Sequence, residues 1–372
     1  MTAAAASFLI GGGGTAGHTV PAIAVARALV AAGVDPAEIG FVGGRRGSEG
    51  TMVAEAGFAI TLLPGRGLQR RLTPANLGAA LGLGLAVLQA GWLVLRTRPR
   101  AVLSVGGYAG VPVALAAALA RRPLVVAEAN AVPGLANRLA GRFARAAAIS
   151  FPGTALPRAV LTGNPVRAEV LAVDRSPAGR DAARQALGLP PGRLVIGVSG
   201  GSLGARKLNL AVRDLAGRWA ERDDVAVHHA VGRRDWRSFE APATAGLHYR
   251  AVEYEDRMDL VLAAADVWIG RAGGSTCAEL GVAGVPAVLV PLPGAPGDHQ
   301  TANARAMAGA GAATIVTDAD CTAGRLAEVL EPLLADGDRR AAMGEAARAA
   351  GHPDAARLVA ALLLQHARPA RS

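Results

Sequence analysis

The sequence predicts an α/β protein made of two doubly wound domains, each a parallel sheet covered by helices on both faces. Short β-type runs alternate with helical patterns along the whole chain, as strands joined by crossover helices do. Glycine-rich loops recur directly after those runs. The chain has 372 residues, and a single core stops growing at roughly 250–300.

In order, the first half offers strands at Ser7–Ile10, Ile39–Val42, Ala59–Leu63, Ala101–Val105, Leu124–Ala127 and Ala147–Ile149. The second offers Leu194–Val198, Val225–Ala230, His248–Val252, Val267–Ile269, Ala287–Val290 and Ala313–Val316. Between them, residues 161–193 are rich in turn formers and charge, which puts the boundary near Gly163 to Arg167. The expected division is an N-terminal domain over 1–165, a C-terminal domain over 166–350, and a closing helix with a basic tail over 351–372. Leu77 to Leu95 holds one strongly polar residue, Gln89, and approaches the ~20 residues of a bilayer span. The flanking runs read as strands of one sheet, so the segment is expected to be a crossover helix with one unusually apolar face.

A net charge of +10 calls for an anionic partner: a phosphorylated substrate, an acidic membrane surface or nucleic acid. Aromatic residues make up 3%, too few to stack bases, so nucleic acid is not expected. Cys277 and Cys321 have no paired spacing, which points to a reducing compartment and no zinc site. The N-terminus lacks the basic start of an export signal, and a cytoplasmic protein is expected.

In "GGGGTAGH", Gly12, Gly14 and Gly17 satisfy the dinucleotide fingerprint between a strand and a helix. The second strand ends in Gly43, Gly44, Arg45 and Arg46 rather than an acid, which disfavours NAD and leaves NADP open. Thr15 and His18 are of no use to a dinucleotide loop. A helix N-terminus favours a neutral imidazole able to accept a proton, so His18 is a candidate general base or a helix cap. "SVGGYAGVP" (104–112) and "SGGSLGARKLN" (199–209) are further anion-type loops. Past strand 267–269, Gly274, Ser275 and Thr276 open a helix suited to a diphosphate, and Glu279 stands a turn further in, suited to ribose hydroxyls. Asp298, His299, Gln300 and Asn303 cluster at another helix start with donors and acceptors for sugar hydroxyls.

With "EAN" (128–130), "GNPVR" (163–167), "RAGGSTCAEL" (271–280) and "HQTANA" (299–304) added in order, the chain resembles the GT-B glycosyltransferases. Within them it is similar to the family that moves N-acetylglucosamine from UDP-N-acetylglucosamine to the lipid-linked muramoyl-pentapeptide of peptidoglycan synthesis. The resemblance implies two Rossmann-like domains facing a central cleft, and an inverting transfer without cofactor or metal. It makes His18 the candidate catalytic base, with Thr15, Ala16 and Gly17 as the first loop beside it. It places Asn130 and Arg167 against the donor, Ser202 at the diphosphate, and Gly274, Ser275, Thr276 and Glu279 at diphosphate and ribose. Gln300 and Asn303 would read the sugar, while Gly106, Gly107 and Tyr108 serve the acceptor. "AEAN" departs from the family's usual histidine before and glutamine after the glutamate, so Asn130 is expected to matter more than Glu128. His299 replaces a frequent glutamine, and Glu255 stands near the uracil-reading position where an aliphatic residue is common.

The D-x-D at Asp318 to Asp320 reads as a solvated turn rather than a metal site. Arg70, Arg71, Leu81, Leu85, Trp92 and Arg96 combine apolar and basic side chains as seating on an anionic lipid surface requires. The expected location is therefore the cytoplasmic face of the cell membrane, peripherally bound. Three alternatives use fewer of these features: a relative with another acceptor, a non-enzymatic nucleotide-sugar binder, and an NADP oxidoreductase.

Overall fold

Strand and helix alternate through both halves, and every strand pairing among the described residues is parallel. The computed structural model describes residues 6–13, 16–45, 47, 49–65 and 75–369, without the side chains of 16 and 75–81. Chain contacts divide it into two units, Met1–Arg167 with Pro353–Ser372, and Ala168–His352.

The first unit runs β1 (Phe8–Gly13), α1 (Ala16–Ala31), β2 (Ile39–Gly44), α2 (Glu49–Glu55), β3 (Ala59–Leu63), α3 (Ala75–Thr97), β4 (Ala101–Gly106), α4 (Gly107–Leu119), β5 (Leu124–Glu128), α5 (Leu135–Gly141), β6 (Ala146–Ile149) and β7 (Ala159–Leu161). Its seven strands lie in the order β3-β2-β1-β4-β5-β6-β7. The order reverses between β1 and β4, and ligands of such sheets sit beyond the strand ends at that point.

Two corrections to the sequence reading concern this sheet. β1 continues through Gly11 to Gly13, because Gly11 stays in register with Val42 on β2 and Ser104 on β4. β7 was not expected: three exposed residues after a Pro- and Gly-containing turn carry no alternation, and only pairing with β6 makes them a strand.

Alternate residues of β1 feed opposite faces. Phe8 and Ile10 pack with Val25 and Leu29 of α1, while Leu9 packs with Ala90, Leu93 and Val94 of α3 and Val113 of α4. The segment expected to be a crossover helix is α3, a single 23-residue helix returning to the sheet. No helix among the described residues is long and apolar enough to cross a membrane.

The second unit runs α6 (Ala168–Leu171), α7 (Pro177–Ala186), β8 (Leu194–Ser199), α8 (Arg206–Arg218), β9 (Val225–Ala230), α9 (Arg233–Trp236), β10 (His248–Val252), α10 (Met258–Ala264), β11 (Val267–Gly270), α11 (Gly274–Ala283), β12 (Ala287–Leu289), α12 (His299–Gly309), β13 (Ala313–Ile315), α13 (Ala323–Ala335) and α14 (Gly337–Ala350). Its six strands lie in the order β10-β9-β8-β11-β12-β13, with the reversal between β8 and β11. The last helix, α15 (Ala355–His366), belongs to the first unit, where Val359, Ala360 and Leu363 join the core around Phe8 and Ile10.

Candidate active site

In the first unit the loops after β1 and β4 meet backbone to backbone. Gly13 bridges Gly107, whose φ is +72°, and a Cβ on Gly107 would lie 2.1 Å from the Gly13 carbonyl oxygen. Only glycine allows both the approach and the left-handed conformation. Gly106 shares that conformation, at φ +84°. Tyr108, in the first turn of α4, donates its hydroxyl to Pro64 O at 2.6 Å, and burial raises its pKa. It therefore fastens the residue that follows β3. Thr15, Gly14 and Arg46 lie outside the described residues, as does the side chain of Ala16.

Glu49 packs against the end of β1 where the first glycine turn begins. It is 2% exposed, its Oε1 accepts from Gly44 N at 3.0 Å, and the same oxygen lies 2.5 Å from where a Cβ on Gly13 would stand. Glu49 therefore sits buried between the ends of β1 and β2.

His18 stands in the first turn of α1 and lines a recess with Gly17, Glu128, Ser150, Gly163 and Asn164. The floor of that recess is organised by Glu128, which is 4% exposed. Its Oε1 accepts from the backbone and side-chain nitrogens of Asn130, each at 3.0 Å; its Oε2 accepts from Gly134 N at 3.0 Å and Asn137 Nδ2 at 2.9 Å. Four donors on one carboxylate fix the loop after β5, and with it Asn130. Asn130, expected to matter more than Glu128, has its position through Glu128. Asn164 Nδ2 is buried in the same recess with no protein partner. Arg167 is partly exposed at the end of the unit.

In the second unit, Ser202 sits in a turn closed by Gly204 N donating to Gly201 O at 2.9 Å. α8 starts only at Arg206. Ser275 and Thr276 do lie in the first turn of α11, after Gly274, where the positive end of the helix dipole favours an anion. Glu279 is partly exposed further along α11. Before it, Arg271 is 8% exposed, donates to Val290 O and Pro291 O, both at 3.1 Å, and meets Asp318 Oδ1 at 2.7 Å. This corrects the reading of the D-x-D as a solvated turn: Asp318 is the counter-ion of a buried arginine. Asp320 accepts from Thr317 Oγ1 at 2.6 Å.

Asn303 is 0% exposed and donates to Ala272 O at 3.0 Å, so it braces the loop leading into α11. Gln300 is partly exposed and accepts from Leu292 N at 3.0 Å, which ties down the loop after β12. Near the position assigned to uracil, Glu255 is held from both sides: His228 Nε2 lies 2.9 Å from Oε2, and Arg257 N donates to Oε1 at 2.9 Å. Burial lowers the His228 pKa, and Glu255 opposes that shift. Among the described residues no group of three or more His, Cys, Asp or Glu is placed to hold a metal ion.

Glu49, Asn137, Arg271 with Asp318, and the buried histidines of β9 escaped the sequence reading. Arg271 acts through Asp318 and the β9 histidines through Glu255, Tyr249 and Asn209, partners far along the chain that no local spacing announces, while Glu49 and Asn137 bond Gly44 and Glu128, five and nine positions away.

The glycosyltransferase family 28 N-terminal domain matches residues 8–149, and its C-terminal domain matches 195–359. This chain belongs to glycosyltransferase family 28. Within the family it is 43% identical, over 96% of its length and 97% of the relative's, to the UDP-N-acetylglucosamine–N-acetylmuramyl-(pentapeptide) pyrophosphoryl-undecaprenol N-acetylglucosamine transferase of a Nocardioides species. It is 40% identical, over 97% of its length and 96% of the relative's, to the enzyme of the same name from Salinibacter ruber. Its fold is similar to the crystal structure of Acinetobacter baumannii MurG, with a TM-score of 0.74 at 28% identity, covering 96% of this chain and 98% of that one. The two sheets are thus the N- and C-terminal domains of a family 28 enzyme, each with its loops at a topological switch point.

Proposed function

We propose that this family 28 chain transfers N-acetylglucosamine, with inversion, from UDP-N-acetylglucosamine to the 4-hydroxyl of undecaprenyl-diphosphate-linked N-acetylmuramoyl-pentapeptide. The observation that carries the reading is 43% identity over 96% of the chain to an enzyme of that name. In this reading the second unit holds the donor. N–H groups of the turn at Ser202 and of the first turn of α11 at Gly274, Ser275 and Thr276 face the diphosphate, where charge builds as UDP departs. Glu279 takes the ribose hydroxyls and Gln300 the sugar, while Asn303 keeps the α11 loop in place.

The first unit presents the acceptor's reacting hydroxyl. His18, at the start of α1, accepts its proton. The Asn164 amide in the same recess has a hydrogen bond to give to an incoming oxygen. Asn130, set by Glu128, and Arg167 are the candidate donor contacts of this unit, and Gly106, Gly107 and Tyr108 shape the acceptor loop.

An acceptor tethered to a bilayer requires the enzyme to sit against it. On α3, Leu85, Leu88, Trp92 and Leu95 are 58–71% exposed, and the Arg96 guanidinium lies 5.1 Å from the Trp92 ring. The neighbouring α4 and α5 add exposed Leu119, Leu135 and Leu139, and Phe143 follows α5. Apolar side chains bordered by arginine suit the boundary of an anionic membrane, here its cytoplasmic face. Arg70 and Arg71 lie outside the described residues, as does the side chain of Leu81.

The test is transfer from UDP-N-acetylglucosamine to a synthetic lipid-linked muramoyl-pentapeptide. Turnover by the wild type with loss of about 100-fold or more in His18→Ala is expected, the range a general base supplies. Near-normal turnover of the variant would remove His18 from that role, and no turnover by the wild type would reject the acceptor.

A further inference from the structure

Behind the turn that carries Ser202, four polar side chains from four elements, three buried and Tyr249 half-buried, form one continuous chain. Tyr249 on β10 places its hydroxyl 2.6 Å from His229 Nδ1 on β9, and His229 Nε2 lies 3.0 Å from Asn209 Oδ1 on α8. Asn209 Nδ2 donates to Asp235 Oδ2 on α9 at 3.0 Å and to Val231 O at 2.9 Å. His229 is 0%, Asn209 1% and Asp235 8% exposed.

The donors and acceptors can be arranged in only one way. Asn209 has given its amide protons to an acid and a carbonyl, so its oxygen accepts, and His229 must carry its proton on Nε2. Nδ1 is then the acceptor, and Tyr249 donates to it. Burial pushes the His229 pKa down to about 3, which keeps the ring neutral and the sense of the chain constant. Burial also holds the Tyr249 hydroxyl protonated.

The far end of the chain meets the turn itself. A Cβ on Gly204 would lie 2.5 Å from Val231 O and 2.7 Å from Asp235 Oδ2, so these two acceptors, both fixed by Asn209, form the surface against which Gly204 rests. Gly204 holds φ at +91°. Arg234 joins the two parts, with Nε 3.2 Å from Asp235 Oδ1 and Nη2 donating to Gly204 O at 3.3 Å. Arg233 N donates to Ser202 O at 3.3 Å.

We infer that Tyr249, His229, Asn209 and Asp235 are positioning residues that set the 201–204 turn and thereby the grip of the second unit on the diphosphate of its nucleotide. This rests on the proposed donor role of Ser202. Tyr249 and His229 act through Asn209 and touch no substrate. Their effect is specific to the diphosphate, because the chain ends on this turn and not at the Glu255 loop, which His228 supports from its own side chain.

The experiment compares UDP and uridine by calorimetry on the full chain, with KM and kcat measured for UDP-N-acetylglucosamine. In Tyr249→Phe and His229→Leu the Kd for UDP and the KM are expected to rise about tenfold, while the Kd for uridine and kcat stay within about twofold. His229→Gln keeps a donor at the Nε2 position and is expected to restore most of the UDP affinity. Equal weakening of UDP and uridine, unchanged UDP binding in Tyr249→Phe, or no rescue by glutamine would each overturn the inference. Tyr249→Phe decides if His229→Leu fails to fold. A wild type that binds no UDP would refute the donor reading itself, a result distinct from variants that bind UDP as well as the wild type.

Discussion

Glu128 shows how a residue's role depends on what reaches it. In the sequence it is an acid two positions before a more promising asparagine; in the fold it collects four hydrogen bonds and fixes that asparagine. Arg271 and Asp318 likewise become legible only as a pair. His18 was different: a histidine opening a helix after a glycine loop signals itself, because the helix start is written in adjacent residues. The cysteines also follow from their surroundings. Both are free and buried, and burial pushes Cys277 up to about 12 and Cys321 up to about 11. At pH 8.5 an unfolded thiol is about half thiolate, whereas these remain protonated. Iodoacetamide at that pH is expected to label neither cysteine in the native chain and both in denaturant, as read by mass spectrometry.

Elements were easier to read than their ends. The twelve strands expected from apolar runs are present, because a strand buried on both faces must be apolar throughout. The misses were β7, which exists only through its neighbour, and the glycines of β1, which pairing draws into the sheet. Helix α3 carries the element-scale prediction. Its Ala86, Ala90, Leu93 and Val94 are buried, while Leu88, Trp92 and Leu95 face outward. Replacing those three by serine is expected to weaken sedimentation with anionic vesicles about tenfold or more, since each loses about 1.5–3 kcal/mol of burial in the bilayer boundary. Thermal stability and transfer to a water-soluble acceptor analogue are expected to change little. Vesicle binding equal to the wild type would reject the seating.

At the scale of the molecule, the last helix is structural to the unit in which the chain begins. α15 packs on α1 and against β4, β5 and β6, with Val359 at 0%, Ala360 at 2% and Leu363 at 1% exposure. Arg368 N donates to Arg100 O at 3.0 Å, and Arg100 Nε donates to Arg368 O at 2.8 Å. Ending the chain at His352 uncovers the sheet around Phe8 and Ile10 and forfeits about 3–6 kcal/mol from the valine and leucine alone. Calorimetry of the truncated chain is expected to show the first unit melting about 10 °C or more lower, or not folding. An unchanged transition would show that α15 adds nothing to that core.

By itself the sequence determined the alternation of strand and helix, the doubling of the pattern, and the glycine, histidine and hydroxyl residues at strand ends. Each of these is set by neighbours a few positions away. The tertiary structure alone decided that Glu49 packs between the ends of β1 and β2, that Glu128 and Asn303 brace loops, that α15 returns to the first unit, and that Tyr249 reaches the Ser202 turn through His229 and Asn209. Those outcomes depend on which distant groups a burial site brings together, and a buried polar group takes whichever partner the packing leaves within reach.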